Sequence, residues 1–417
     1  MLIKKCKAGA LQYVVLLSLL IFFLIGMFML RALYSNLQIS DSIQLEALYD
    51  NLESCKVLLK NDPVISQTEG NRSIELFESV QSNVDLEIVK WGVFGLVGMK
   101  TSWRHLFREQ YLLLGDNIWN DDRPSLFLAD KNRYLSVCGE TWLGGPVDLP
   151  ALGVRKSYVD GVGYYRSQAV QGDIRRSQAN VPVLDGKFQR IFESLFTVNY
   201  QKDSVVVWED GYRDSISRSF KKRTLCLWSP ESISLENIKL KGKVKVISQR
   251  EILVGTNVKL DQCILVAPTI RFKEGCKGRA QIFAKDSVSI GGNSHFLFPS
   301  VIYMDGGNGN KELDISSSVR FAGDIVLAGK MGDKAPILKI GKDSRMEGLV
   351  YCDGTVELEG DVAGSLYTNR FILRTPSALY ENHLLNNRID FSDLKKSYVG
   401  ISWFGQANKR QIIECLY

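Results

Sequence analysis

The chain has 417 residues, of which 45% are hydrophobic, so it can bury a substantial core and, after an N-terminal anchor, is long enough for one large or two ordinary domains. Its net charge of +6 is small for this length and spread along the chain, with only the short basic runs Lys221-Lys222-Arg223 and Lys395-Lys396, which excludes a nucleic-acid footprint. Eight cysteines without a C-x-x-C spacing, the first of them (Cys6) ahead of the anchor, leave an odd number beyond it and do not form a complete disulfide framework.

Residues 1–7 read as a short cytoplasmic tail and residues 8–30 as a transmembrane helix. No charge lies between Lys7 and Arg31. Twenty-three helical residues at about 1.5 Å each reach roughly 35 Å, enough to cross a hydrocarbon core of about 30 Å. Ala8, Leu11, Val14, Leu17, Leu20, Phe23, Met27 and Leu30 are the expected anchor residues, with the lipid bilayer as their partner. The competing reading, a cleaved signal peptide, usually has a shorter apolar region and a small-residue cleavage site, and no good site follows Leu30. Lys4, Lys5 and Lys7 place the N-terminus inside, which puts the body of the chain in the periplasm of a bacterium with a single-pass inner-membrane anchor.

Residues 31–62 read as a helical stalk. Leu45, Leu48, Leu52, Cys55 and Leu59 repeat at three-four spacing and form one apolar stripe on an otherwise polar helix. The stripe packs either on the body of the same chain or on another membrane-anchored subunit. Asn61-Asp62-Pro63 ends the helix, since proline disfavours helical geometry in the residue before it. Residues 63–130 then read as a small β-rich connecting module whose tryptophans, Trp91, Trp103 and Trp119, are expected in its core.

Residues 131–374 read as a β-rich body, with a parallel β-helix strongest over 238–373. Ile252 and Val254 are followed eighteen residues later by Ile270 and Phe272, and eighteen later again by Val288 and Ile290; Ile264 and Ile282 share the interval. Apolar residues at i and i+2 suit strands with one buried face. Gly348-Leu349-Val350-Tyr351 and Gly364-Ser365-Leu366-Tyr367 repeat sixteen residues apart. Stacked rungs share one interior that isolated strands cannot build. A β-sandwich with evenly spaced strands is the alternative. Residues 135–154 and 158–175 are read as an earlier sheet or rungs, residues 188–196 as helical and 204–208 as a strand. Residues 305–310 and 331–336 read as excursions from single rungs, and residues 375–417 as a C-terminal cap. The fold class is therefore mainly β: one transmembrane helix with its stalk, a β-rich module and a solenoid.

Two resemblances follow. Lys4-Lys5-Cys6-Lys7-Ala8-Gly9-Ala10-Leu11-Gln12 ahead of a long apolar helix resembles the start of type IV pilins and pilus-like secretion subunits. That resemblance implies processing after Gly9 and packing of the helix into a filament. The glutamate that the family carries five residues into the mature helix falls here on Val14. The glycine-punctuated rungs over 238–373 are similar to those of bactofilins, scaffold proteins whose β-helix self-assembles and which are mostly cytoplasmic.

Chemistry-bearing motifs are scarce. His105, His295 and His383 have no histidine or cysteine at metal-ligand spacing, and no nucleophile elbow, H-E-x-x-H or P-loop occurs. The acidic positions Asp121-Asp122, Glu209-Asp210 and Asp353 read as turns. Asp305, Asn308 and Asn310 lack the glutamate that completes a calcium loop. No catalytic residue, metal or cofactor is expected. The leading expectation is a non-enzymatic, membrane-anchored envelope protein that packs against other envelope or pilus-like subunits or copies of itself. A glycan-binding or adhesive solenoid is the alternative, and a polysaccharide-active enzyme the third.

Overall fold

The computed structural model describes residues 9–62, 65, 68–76, 83–119, 122–209, 214–306, 311–329, 334–405 and 409–416. The lysine-rich leader with Cys6 and Ala8, Pro63, Asp121, Asp210, Asn308, Asn310 and residues 331–333 lie outside them. The chain divides into two compact units, one of residues 1–58, 70–87 and 98–110, the other of residues 59–69, 88–97 and 111–417.

Anchor and stalk are one unbroken helix, α1 (Gly9–Asn61), of 53 residues. At about 1.5 Å per residue it extends roughly 80 Å. The sequence explains the continuity: after Gly26 no glycine or proline occurs until Pro63, so nothing interrupts the backbone ladder. A five-stranded sheet follows, in the order Gly70–Ile74, Val84–Trp91, Phe94–Trp103, Leu106–Asp116 and Arg410–Leu416. Its last strand runs antiparallel to its neighbour, with Ile412 opposite Leu114.

Most of the rest is a parallel β-solenoid, a sheet of 22 strands wound into three faces, beside a short antiparallel pair at residues 158–163 and a separate three-stranded parallel sheet. On the first face Leu227, Val246, Leu265, Ile282, Ile302, Ile325, Val350 and Leu366 stack in direct register. On the second, Leu240, Leu260, Gly278, Phe296, Phe321, Met346 and Val362 do the same. On the third the column is Ile233, Ile252, Ile270, Val288, Leu313, Leu338, Val356 and Phe371. The apolar members of all three columns belong to one continuous buried core. Each such side chain contributes about 1.5–3 kcal/mol of burial, which is what drives rung to stack on rung.

The eighteen-residue period of the third face is real: Ile252 pairs with Ile270, and Ile270 with Val288. Ile264 and Ile282 are not a pair, however. Ile264 opposes Gln281, and Ile282 opposes Leu265, because the register shifts between Asp261 and Cys263, where Gln262 takes a positive φ of 65°. A β-bulge of this kind moves the following residues by one. The sixteen-residue repeat is a direct pairing, Gly348 on Gly364 and Tyr351 on Tyr367.

Stacking order and chain order differ. Leu126–Leu128 lies on the rung of Leu366, and Val147–Leu149 and Ile174–Arg176 follow, so the earliest rungs extend the far side of the latest one. The chain then passes through helix α2 (Gly186–Leu195), capped by the Asp185 carboxylate accepting from the Lys187 amide, to start again at Ser204–Val207 at the opposite end. The tail from Thr375 does not close an end. Arg388–Asp390 sits between Asp361–Arg374 and Trp142–Gly144, in the middle of the stack.

The outward side of the first face is apolar too and is covered. Phe188 and Phe192 of α2 lie at i, i+4 spacing and pack with Tyr303 and Trp403, the latter two stacked at 5.5 Å. Trp91 belongs to the same cluster and donates Nε1–H to the Gln262 carbonyl at 3.0 Å.

Candidate functional site

Two surfaces stand out, one apolar and one basic. Along α1, Leu11, Val14, Leu17, Leu20, Phe23, Met27 and Leu30 are all exposed, and this helix is long and apolar enough to cross a membrane. Gly9 lies on this helix. Exposure of large apolar side chains continues beyond the expected anchor at Leu33, Tyr34, Leu37, Ile39 and Ile43. The stripe behaves differently: Leu48, Leu52, Cys55 and Leu59 are buried by the chain itself and Leu45 is half-buried. A polar contact at 3.4 Å joins the Asp41 carboxylate to His105 Nε2 within the same unit.

Among the described residues the acidic positions singled out in the sequence lie on or next to separate strands. Asp122 pairs with Arg175 ahead of one rung, Glu209 follows the strand Ser204–Val207, and Asp353 accepts from Asn369 Nδ2 at 2.7 Å on a third. Burial raises the Asp353 carboxyl above its usual range. No cluster of metal-ligating side chains exists among the described residues. The seven described cysteines are free thiols, six of them buried. Burial pushes Cys55, Cys226 and Cys276 up to about 11 and Cys263 to about 12, which keeps them protonated and unreactive.

The basic surface lies on the outward side of the second face. Lys239, Lys259, Lys277, His295, Arg320 and Arg345 occupy the same position in six consecutive rungs, each paired in register with the next. Lys239, Lys259 and Arg320 are each flanked by residues whose side chains are buried: Ile238 and Leu240, Val258 and Leu260, Val319 and Phe321. Strand alternation therefore forces the basic groups outward. With neighbouring strands about 4.8 Å apart, the file runs about 24 Å along the stack. Among the described residues no ion pair engages Lys239, Lys259, Lys277 or Arg320; Arg345 approaches Glu347 at 3.6 Å.

The adjacent outward column is neutralised by contrast. Lys241 pairs with Asp261 at 3.6 Å, Asp261 with Arg279 at 2.5 Å, and Arg279 with Glu414 at 2.8 Å. The file lines a groove of about 920 Å³ whose other lining includes Leu394, Lys395, Ser397 and Tyr398, together with Leu297 and Phe298. Seven lysine and arginine side chains against Asp261 and Glu347 give the groove a positive sign.

Tyr398 is fixed from behind. Its hydroxyl donates to Asp324 Oδ1 at 2.7 Å, Trp403 Nε1–H donates to Oδ2 at 2.8 Å, and the Leu349 amide donates at 3.1 Å. Phe298 packs on its ring at 5.0 Å.

Reading the sequence for charge runs misses this file, because its members are twenty, eighteen, eighteen, twenty-five and twenty-five residues apart. A usable signal was present: a basic residue between two inward positions, as in Ile238-Lys239-Leu240, Val258-Lys259-Leu260 and Val319-Arg320-Phe321. The two long intervals span the segments after Met304 and Leu327, which hide the repeat from a search at fixed period. Compared with protein families, with curated proteins and with solved structures, the chain finds no match, and neither the pilin nor the bactofilin likeness gains support from that side.

Proposed function

We propose that the chain is a non-enzymatic, single-pass membrane protein of a bacterial envelope. In this reading α1 crosses the inner membrane from a cytoplasmic N-terminus, and the solenoid body in the periplasm is a structural subunit of a pilus-like, secretion or surface assembly. The observation that carries it is the unbroken α1 with Leu33, Tyr34, Leu37, Ile39 and Ile43 exposed past the stretch that a bilayer needs. About 20 apolar residues suffice to span. Apolar side chains beyond that length lose about 25 cal/mol per Å² left in water, so a protein partner, another subunit or a second copy, is the favourable cover. The pilin-like leader and bactofilin-like rungs belong to this proposal.

The test places a photo-crosslinking residue at Leu37 or Ile43 in living cells, with exposed Gln38, which is neither i+3 nor i+4 from either position, as an off-face control. Adducts with a membrane subunit or with a second copy are expected from the first two positions. Silence at both positions removes the assembly reading, and recovery of the full chain in the soluble fraction removes the anchor. The mass of the native N-terminus separates a permanent anchor from one cut after Gly9.

A further inference from the structure

We propose that the file Lys239, Lys259, Lys277, His295, Arg320 and Arg345 lines a binding groove for a linear acidic polysaccharide that runs along the stack, about one sugar per rung. The argument begins with spacing. Parallel stacking fixes the basic groups at about 4.8 Å intervals in a straight line, and an extended 1,4-linked chain of pyranoses advances by a comparable distance per sugar. A uronic-acid polymer therefore matches the file in linear charge density, one carboxylate per sugar. Successive carboxylates turn about the chain axis, and the flexible lysine and arginine side chains reach around the chain to meet them.

Charge argues the same way. Four members of the file have no protein partner among the described residues, while the column beside it is closed by Asp261 and Glu414. The groove thus offers a single row of unsatisfied cations. Duplex nucleic acid carries phosphates in two strands, about 3.4 Å apart along each, and matches neither the single row nor its pitch. Single-stranded nucleic acid binds through aromatic platforms repeated along the path, and the file has none at rung intervals. What the lining does hold, exposed Leu297 with half-buried Phe298, suits the apolar C–H face of a sugar ring.

The experiment uses the full chain in nanodiscs of zwitterionic lipid, titrated with di-, hexa- and decagalacturonate, with neutral maltohexaose, with linear polyphosphate and with single-stranded DNA. Affinity should rise from the dimer to the hexamer, level off at the decamer and fall as salt is added. The variant Lys259→Gln/Lys277→Gln/Arg320→Gln should bind hexagalacturonate about 30-fold more weakly, three exposed charge contacts at roughly threefold each. Lys259→Arg/Lys277→Arg should bind like the wild type. Lys202→Gln/Lys222→Gln/Lys342→Gln, with the same loss of charge elsewhere, should also leave binding unchanged.

Absence of binding, equal weakening by the two triple variants, or affinity that does not depend on chain length overturns the proposal. Tighter binding of polyphosphate or DNA than of hexagalacturonate overturns it in favour of a phosphate polymer. Because the titration reads the groove alone, its outcome is separate from that of the membrane-assembly reading.

Discussion

Asp324 illustrates how one buried acid can organise a surface it never reaches. Its carboxyl lies on the outward side of the first face, raised above the usual range by burial, and receives three donors, the Leu349 amide of the next rung and two, from Tyr398 and Trp403, that tie the C-terminal segment down. The groove wall is therefore held from the solenoid side. His383 is a second residue with a measurable consequence. Burial lowers its pKa, its Nδ1–H donates to the Glu381 carbonyl at 2.8 Å, and its ring rests on Tyr380 with Arg155 nearby. A histidine whose folded pKa is depressed contributes stability that is present above the unfolded value of about 6.5 and lost as pH falls toward the folded one. The wild-type thermal midpoint should thus drop more than that of His383→Gln between about pH 7.5 and about pH 5. Parallel curves for the two proteins would show that the ring carries no such linkage.

At the scale of the element, the rungs meet most tightly at a glycine corner. Gly323, Gly348 and Gly364 have φ of +149°, +135° and +147°. A Cβ on Gly364 would stand 1.9 Å from the Gly348 carbonyl oxygen, because rungs about 4.8 Å apart leave no room between backbones. Gly364→Ala should cost more than about 3 kcal/mol, combining backbone strain with a clash that forces neighbouring rungs apart. Gly153→Ala is the control: its φ is +73° but nothing lies within 4 Å, so only about 1–2 kcal/mol of strain is expected. Denaturant unfolding of the two variants compares them directly, and equal losses would mean that the corner can open. The glycines and the apolar i, i+2 pairs made this architecture legible in the sequence, since both follow from a backbone that repeats at short range. The bulge at Gln262 was not legible. Pairing Ile264 with Ile282 requires knowing that one extra residue has been absorbed, and the residue that absorbs it carries no special chemistry. The basic file was hidden for the same reason, its register crossing two lengthened turns.

At the scale of the molecule, periodicity says that rungs stack and is silent about which rung neighbours the last one. The edge of Asp361–Arg374 is covered both by Leu126–Leu128 from an early stretch and by Arg388–Asp390 from the tail, so segments distant in sequence interleave. A simple linear solenoid loses stability locally when a terminal repeat is removed, because each repeat touches only its neighbours. Here the tail also supplies Tyr398 and Trp403 to Asp324, Arg410 to Asp116 at 2.8 Å, and the strand Arg410–Leu416 to Leu106–Asp116. Ending the chain after Arg374 should therefore abolish the fold of the body as a whole rather than fray one end. The expected signature is loss of protease protection across residues 126–374, including the rungs around Ile264 and Ile282 that lie far from the cut along the stack. If those rungs stay protected with their strand signal intact, the two sets of rungs fold independently and the interleaving is not what holds the solenoid together.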